Sequence, residues 1–229
     1  MKTVIITGAN GNLGTATVKI FLEKGYKVIA IDTGDDHLGF AGNNSNFEFH
    51  TIDLTNEEST SVFVNETIAK HKSVDAALML VGGFAMGKIS ETKTADIHKQ
   101  VTLNFETAYN VTRSLLQQMQ NNGYGRLVFI GARPALNPAQ GKDLIAYALT
   151  KSLLFKLADF INEESKGTNV VASVVVPSTI DTAINRKSMP DANPDNWVKP
   201  EQLADVLEFI CSEKGSVIRE PVYKVYNNA

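Results

Sequence analysis

At 229 residues the chain is the size of one large domain rather than two. Its 22 basic side chains against 25 acidic ones leave a net charge of −3, which excludes the basic excess of a dedicated nucleic-acid or anionic-membrane binder. The one cysteine, Cys211, excludes an intramolecular disulfide and any cysteine-cluster metal site, and it suits a reducing, cytoplasmic setting.

The first strand is predicted over 2–7. It runs straight into Thr7-Gly8-Ala9-Asn10-Gly11-Asn12-Leu13-Gly14, followed by a helix over 12–24 with Val18, Phe21 and Leu22 on one side. Glycines in that context permit a tight turn, a close approach of backbone to a pyrophosphate, and close helix–strand packing. Unpaired N–H groups at the helix start then attract phosphate. Gly8, Gly11, Asn12, Leu13 and Gly14 are therefore candidates for holding a dinucleotide.

The second strand, 27–32, ends on Asp32. A carboxylate there accepts hydrogen bonds from adenosine ribose hydroxyls and repels a 2′-phosphate, so NAD(H) is preferred and NADP(H) possible. The alternative for Asp32 is a solvated acid beside Asp35 and Asp36. A third strand over 47–52 leads to Asp53 and Leu54, candidates for the adenine end, although Asp53 suits a helix start equally well. The helix over 56–71 opens on Thr55-Asn56-Glu57-Glu58, a capping-box spacing.

A strand over 74–81 contains the longest apolar run, Ala76 to Val81, far short of a bilayer span. It ends in Val81-Gly82-Gly83-Phe84. A helix over 95–121 carries Asn104, and a strand over 126–130 leads to Gly131-Ala132-Arg133-Pro134. The helix over 143–165 places Tyr147 and Lys151 four apart on one face. A cation beside a phenol favours the phenolate and lowers its pKa from near 10, fitting the tyrosine to act as a general acid or base. A strand over 169–176 gives way to an aperiodic stretch, 177–199. A helix over 200–212 opens on Pro200-Glu201, and a final strand covers 222–225.

Strands alternating with helices from end to end imply a doubly wound parallel sheet, a three-layer α/β/α Rossmann fold spanning 1–229 as a single domain. Loops at the carboxyl ends of such strands line the ligand crevice, which makes 177–199 a lid. The histidines His37, His50, His71 and His98 show no paired spacing, so no metal site is expected.

The glycine turn, the acidic end of the second strand and Tyr147-x-x-x-Lys151 together resemble the short-chain dehydrogenase/reductase family, over essentially the entire chain. The resemblance implies a nicotinamide cofactor and Tyr147, Lys151 and Asn104 as catalytic residues, with Asn104 holding a water of the proton relay behind the lysine. It also implies cofactor contacts from Val81, Gly82, Gly83, Tyr147 and Lys151, and from Pro177, Thr179, Ile180 and Thr182, the threonine meeting the nicotinamide carboxamide. Three departures stand out. Asn12 occupies a position where glycine is usual, Leu80-Val81-Gly82-Gly83-Phe84 replaces an Asn-Asn-Ala-Gly run, and no Ser or Thr lies between Gly131 and Tyr147 where the family's carbonyl-polarising serine belongs.

Those departures, with Gly131-Ala132-Arg133-Pro134-Ala135-Leu136 and Asn185-Arg186-Lys187-Ser188-Met189-Pro190, are similar to one branch of the family, the dihydropteridine reductases, which also lack the serine and prefer NADH. The likeness implies hydride transfer from NADH to a quinonoid dihydropterin, with Tyr147 as proton donor and Phe84, Ala132, Arg133 and Arg186 facing the substrate. Phe84 is otherwise core, and Arg186 and Lys187 are otherwise solvated surface. The competing readings are reduction or oxidation of another carbonyl or alcohol, and a non-catalytic NAD(H) sensor, against which Tyr147, Lys151 and Asn104 argue. The family resemblance also implies a small-molecule substrate and a homodimer or homotetramer formed through the helices 95–121 and 143–165.

Overall fold

The computed structural model describes residues 1–228. Its centre is strand β1 (Thr3–Thr7), buried along its whole length because both faces are covered. Val4 and Ile6 point into one apolar core while Ile5 points into the other, the alternation that a pleated strand imposes. Helix α1 (Asn12–Glu23) returns the chain to β2 (Lys27–Asp32), and β3 (Phe47–Thr51) forms the edge beyond it. Helix α2 (Glu57–His71) crosses back to β4 (Ala76–Met79) on the other side of β1. The chain continues through α3 (Thr94–Val101), a π-helical turn (Thr102–Glu106), α4 (Thr107–Asn122) and β5 (Tyr124–Ile130). Two short helices, α5 (Arg133–Leu136) and α6 (Pro138–Gly141), precede α7 (Ile145–Glu164) and β6 (Asn169–Pro177). Finally come α8 (Ala183–Ser188), α9 (Pro200–Cys211) and β7 (Val222–Val225).

All seven strands pair in parallel in the order β3-β2-β1-β4-β5-β6-β7. The winding reverses between β1 and β4, and the crevice outside their carboxyl ends is where an open sheet of this kind takes its ligand. Phe63, Val111, Leu115 and Leu154 cover one face of the sheet. Phe21, Leu203, Leu207 and Ile210 cover the other, with Cys211 buried among them. Among the described residues no helix is long and apolar enough to cross a membrane.

Several boundaries differ from the sequence expectation. Helix α2 is capped one residue later than the Thr55/Glu58 pair proposes. Asn56 accepts the Ser59 N–H at 2.9 Å, because Thr55 is engaged by Asp53. Strand β4 stops at Met79 rather than residue 81, since the Leu80 N–H donates to the Thr7 hydroxyl at 3.1 Å instead of to a neighbouring strand. The helix expected over 95–121 is broken by the π-helical turn, and the 143–165 helix begins at Ile145. The stretch 177–199 is not aperiodic in space. It holds α8 and a 3₁₀ turn (Pro194–Asn196), and Thr179 and Asp181 bond Val198 at 3.0 and 2.8 Å, anchoring both ends of the segment to each other.

Candidate active site

The turn after β1 is built around glycine. Gly8 has φ +65°, a left-handed conformation that side chains resist, and a Cβ on Gly14 would collide with the Gly8 carbonyl oxygen. Gly11 is the N-cap of α1 and brings no side chain to it, so the first-turn N–H groups of α1 face the crevice uncapped. The first helical bond runs from Thr15 N–H to the Gly11 carbonyl at 2.8 Å. Uncapped donors at a glycine-rich helix start are a cradle for the phosphates of a dinucleotide, and on this observation the turn fits that cofactor.

Asp32 ends β2 beside the glycine turn. One carboxylate oxygen accepts the Asn10 N–H at 2.8 Å and the other the Thr33 N–H at 2.7 Å, so the carboxylate is fixed against the glycine turn. The chain after Thr33 folds back, and the His37 N–H donates to the Asn10 side-chain oxygen at 2.8 Å. Asp53 accepts from the N–H and hydroxyl of Thr55 at 3.0 and 2.7 Å, and these bonds hold its carboxyl below the usual carboxylate range. It stands in the turn into α2 with its side chain exposed. Leu54 is buried, and its carbonyl accepts from Asn110 of α4 at 3.0 Å.

On the other side of the crevice α7 presents Tyr147 and Lys151. Lys151 is buried and donates to the Ile130 carbonyl at 2.9 Å, with its ammonium 6.0 Å from the Tyr147 ring centre. Burial brings the lysine down to about 8 and pushes the phenol up to about 12. The cation therefore does not lower the tyrosine pKa here, contrary to what the four-residue spacing predicts. The ammonium is directed at a backbone carbonyl, and desolvation of the ring dominates.

Asn104 lies in the π-helical turn, a distortion that often marks functional sites. Its side chain accepts the Gly83 N–H at 3.0 Å and donates back to the Gly83 carbonyl at 3.1 Å. This bidentate clasp positions the segment after β4. A Cβ on Gly82 would stand 2.8 Å from the Asn104 side-chain oxygen and 3.1 Å from the Lys151 ammonium, so the glycine is what allows those two groups to converge. Phe84 follows, 64% exposed, its ring edge-on to Tyr147 with centroids 5.2 Å apart. Val81 packs against the core that α4 and α7 share.

After β5, Ala132 is buried and Arg133 stacks its guanidinium over the Tyr226 ring at 4.6 Å. Beyond β6, which ends at Pro177, Ile180 bridges Val198 and Thr182 caps α8 by accepting the Asn185 N–H at 3.2 Å. Arg186 makes a two-pronged bond to Asp181 at 2.6 and 2.8 Å, which ties its guanidinium to its own segment, 177–199. The structure thus brings Tyr147, Lys151, Asn104, Gly82 and Phe84 together, with the glycine turn opposite across the β1–β4 switch. Sequence reasoning missed Gln100, whose side chain meets Asn104, and the C-terminal residues Tyr226 and Asn227. The Asn227 amide donates to the Trp197 carbonyl at 2.9 Å and so holds the end of the 177–199 segment, while the Asn104 amide donates to Gln100 at 2.8 Å. A spacing of four from Asn104 is the one signal that pointed to Gln100.

A family model described as short chain dehydrogenase matches residues 2–193. The chain is 29% identical to a dihydropteridine reductase of Dictyostelium discoideum, over 90% of this chain and 86% of that one. It is 24% identical to a 3-oxoacyl-(acyl-carrier-protein) reductase of Buchnera aphidicola, over 95% and 92% of the two chains. Among solved structures, one titled ElxO with NADP bound superimposes with a TM-score of 0.89 at 22% identity, covering 98% of this chain and 96% of that one, a likeness of fold.

Proposed function

The chain belongs to the short-chain dehydrogenase family and is an oxidoreductase that uses a nicotinamide cofactor, and from this premise we propose that it is an NADH-dependent reductase of quinonoid dihydropterins. The observation that carries the reading is the pairing of an intact Tyr147–Lys151–Asn104 group with Phe84 edge-on to the tyrosine and no hydroxyl side chain between Gly131 and Tyr147. Such a site donates a proton and stacks a flat ring, but it lacks the group that polarises a ketone.

The uncapped start of α1 and the residues Gly8 to Gly14 hold the phosphates, Asp32 the adenosine ribose, and Asp53 and Leu54 the adenine side. Val81, Gly82, Gly83, Pro177, Thr179, Ile180 and Thr182 surround the nicotinamide end. The bound dinucleotide supplies a hydride. The remaining work falls to this chain: Phe84 orients the conjugated imine, flanked by Ala132, Arg133 and Arg186, and Tyr147 gives its phenolic proton to the nitrogen left electron-rich by the hydride. The product carries two more hydrogens than the substrate, one from each source. With a pKa near 12 the phenol is fully protonated at neutral pH, as a proton donor must be. Asp32 favours NADH over NADPH because a 2′-phosphate would meet its carboxylate.

The apolar faces of α4 and α7, with Tyr109, Leu149, Leu153 and Phe160 exposed, suit a homodimer or homotetramer built through these helices. The lone buried cysteine suits a cytoplasmic setting. A second reading, reduction of a more aliphatic carbonyl, draws on the exposed Met86, Ile89 and Ile184.

The test is oxidation of NADH and NADPH with quinonoid dihydropterin generated in the assay, beside a panel of carbonyl substrates. Saturable turnover with the pterin and NADH supports the proposal, and Tyr147→Phe then lowers kcat by about 10²–10⁴ with unchanged NADH affinity. Turnover with a carbonyl alone transfers the site to the second reading. Cofactor binding with no turnover on either makes the protein a sensor.

A further inference from the structure

The Gln100 side chain is 5% exposed, and its oxygen accepts a hydrogen from the Asn104 amide at 2.8 Å. Asn104 itself is 1% exposed. Its amide has two N–H donors, one given to the Gly83 carbonyl and one to Gln100, while its oxygen accepts from the Gly83 N–H. Every donor on that amide is thus spoken for, and a flipped amide would set its oxygen against two other oxygens. The same Asn104 oxygen and the Lys151 ammonium both border the point where a Gly82 Cβ would stand. Lys151 meets no carboxylate among the described residues. Its surroundings are the Ile130 carbonyl from β5, the Tyr147 ring from its own helix, Gly82 from the segment after β4, and Asn104 from the π-helical turn.

We propose that Gln100 is a positioning residue of the proton relay, holding the Asn104 amide in the one orientation that turns its oxygen toward Gly82 and Lys151. The inference rests on the reductase reading above for its catalytic consequence, but not for its structural one. Gln100 sits at the C-terminal end of α3, one turn before Asn104, and the intervening backbone is the π-helical turn. The π-helical turn closes through its own wider bond, from the Thr107 N–H to the Thr102 carbonyl, and the Gln100–Asn104 bond ties the side chain seated in that turn back to α3.

Two variants separate the roles. Gln100→Met keeps the volume and removes the acceptor, leaving one buried Asn104 N–H without a partner. Gln100→Glu keeps an acceptor oxygen in place. In the cofactor-loaded enzyme, Gln100→Met lowers kcat on the order of tenfold, the factor that one lost buried hydrogen bond carries. The KM for NADH and NADH binding by fluorescence stay within about twofold, because Gln100 stands behind Asn104 rather than in the cradle. Gln100→Glu restores kcat. Independently of any substrate, the Lys151 side-chain titration is followed by NMR in isotope-labelled protein and assigned with Lys151→Met. The midpoint of Gln100→Met shifts from that of the wild type, because an Asn104 oxygen released from Gln100 no longer stands fixed at the point it shares with the ammonium beside Gly82. Identical Lys151 titrations in wild type and Gln100→Met overturn the proposal, as does a loss of kcat that Gln100→Glu fails to restore. Wild-type protein that turns over no pterin overturns the reductase reading alone, and the titration still decides the role of Gln100.

Discussion

Phe84 meets the Tyr147 ring edge-on, with centroids 5.2 Å apart and an interplanar angle of 65°. Phe84 is nevertheless largely exposed, which on the proposed reading leaves its ring available to a flat ligand. Its loop is held in place from below. The Gly87 N–H donates to the Asp143 carbonyl at 2.8 Å, and the Ile145 N–H donates back to Gly87 at 3.0 Å, clipping the loop to the start of α7.

Replacing that ring has a defined cost. Phe84→Ala raises the KM for a quinonoid dihydropterin about 3- to 10-fold, the range of a lost aromatic contact, and leaves the NADH affinity unchanged. Phe84→Trp retains the wild-type value. Steady-state kinetics on both variants check this, and an unchanged pterin KM in Phe84→Ala removes the residue from the substrate site.

Lys151 gives the enzyme a pH dependence whose sign follows from its burial. Its pKa falls from 10.5 to about 8, so the ammonium is present below pH 8 and lost as pH rises through it. Turnover falls on the same limb if the charged lysine serves the relay. Stability runs the other way. Between about 8 and 10.5 the unfolded chain keeps this proton while the folded chain has released it, so unfolding takes up a proton and stability rises with pH across that window. Below pH 8 the folded state carries the desolvated charge in full. Thermal melts of Lys151→Met are expected to lack the rise and to match or exceed the wild type at neutral pH, while turnover is abolished. A variant that melts well below the wild type at pH 7 would show the buried ammonium to be stabilising instead.

On the proposed reading Asp32 selects the cofactor, through a carboxylate that Asn10 and Thr33 hold in place. Asp32→Asn keeps one acceptor oxygen, enough for one of these two bonds, and removes the charge. NADH binding is expected to weaken by roughly tenfold, as loss of a charge-assisted hydrogen bond does. NADPH binding holds or improves, because the repulsion of its 2′-phosphate is gone. Fluorescence titration with both cofactors measures the ratio, and equal loss for the two denies Asp32 any part in selection.

The outer face of α7 carries the fourth prediction. Phe160 is 68% exposed and Leu149 52%, an unusual share of large apolar surface for one helix of an isolated chain. The wild-type protein is expected to sediment as a dimer or tetramer and Phe160→Glu to shift it toward monomer. Wild-type monomer at micromolar concentration ends that reading of the surface.

Much of this molecule was legible in the residue order. Apolar runs such as Val4-Ile5-Ile6 and Val174-Val175-Val176 have no polar side to show to water, which dictates strands covered on both faces and hence a parallel sheet joined by helices. The glycine turn announces a phosphate cradle because only glycine tolerates the Gly8 dihedral and the Gly8–Gly14 approach. What the sequence left open was whatever depends on groups distant along the chain. Thr7 stops β4 by taking the Leu80 N–H, and Asn227 bonds the Trp197 carbonyl from the far end of the chain. The π-helical turn that seats Asn104 leaves no periodic mark. Local spacing placed Tyr147 and Lys151 on one face, but only the tertiary structure determined how deeply each is buried. Because desolvation outweighs their mutual influence, it was the fold that determined the direction in which both side chains titrate.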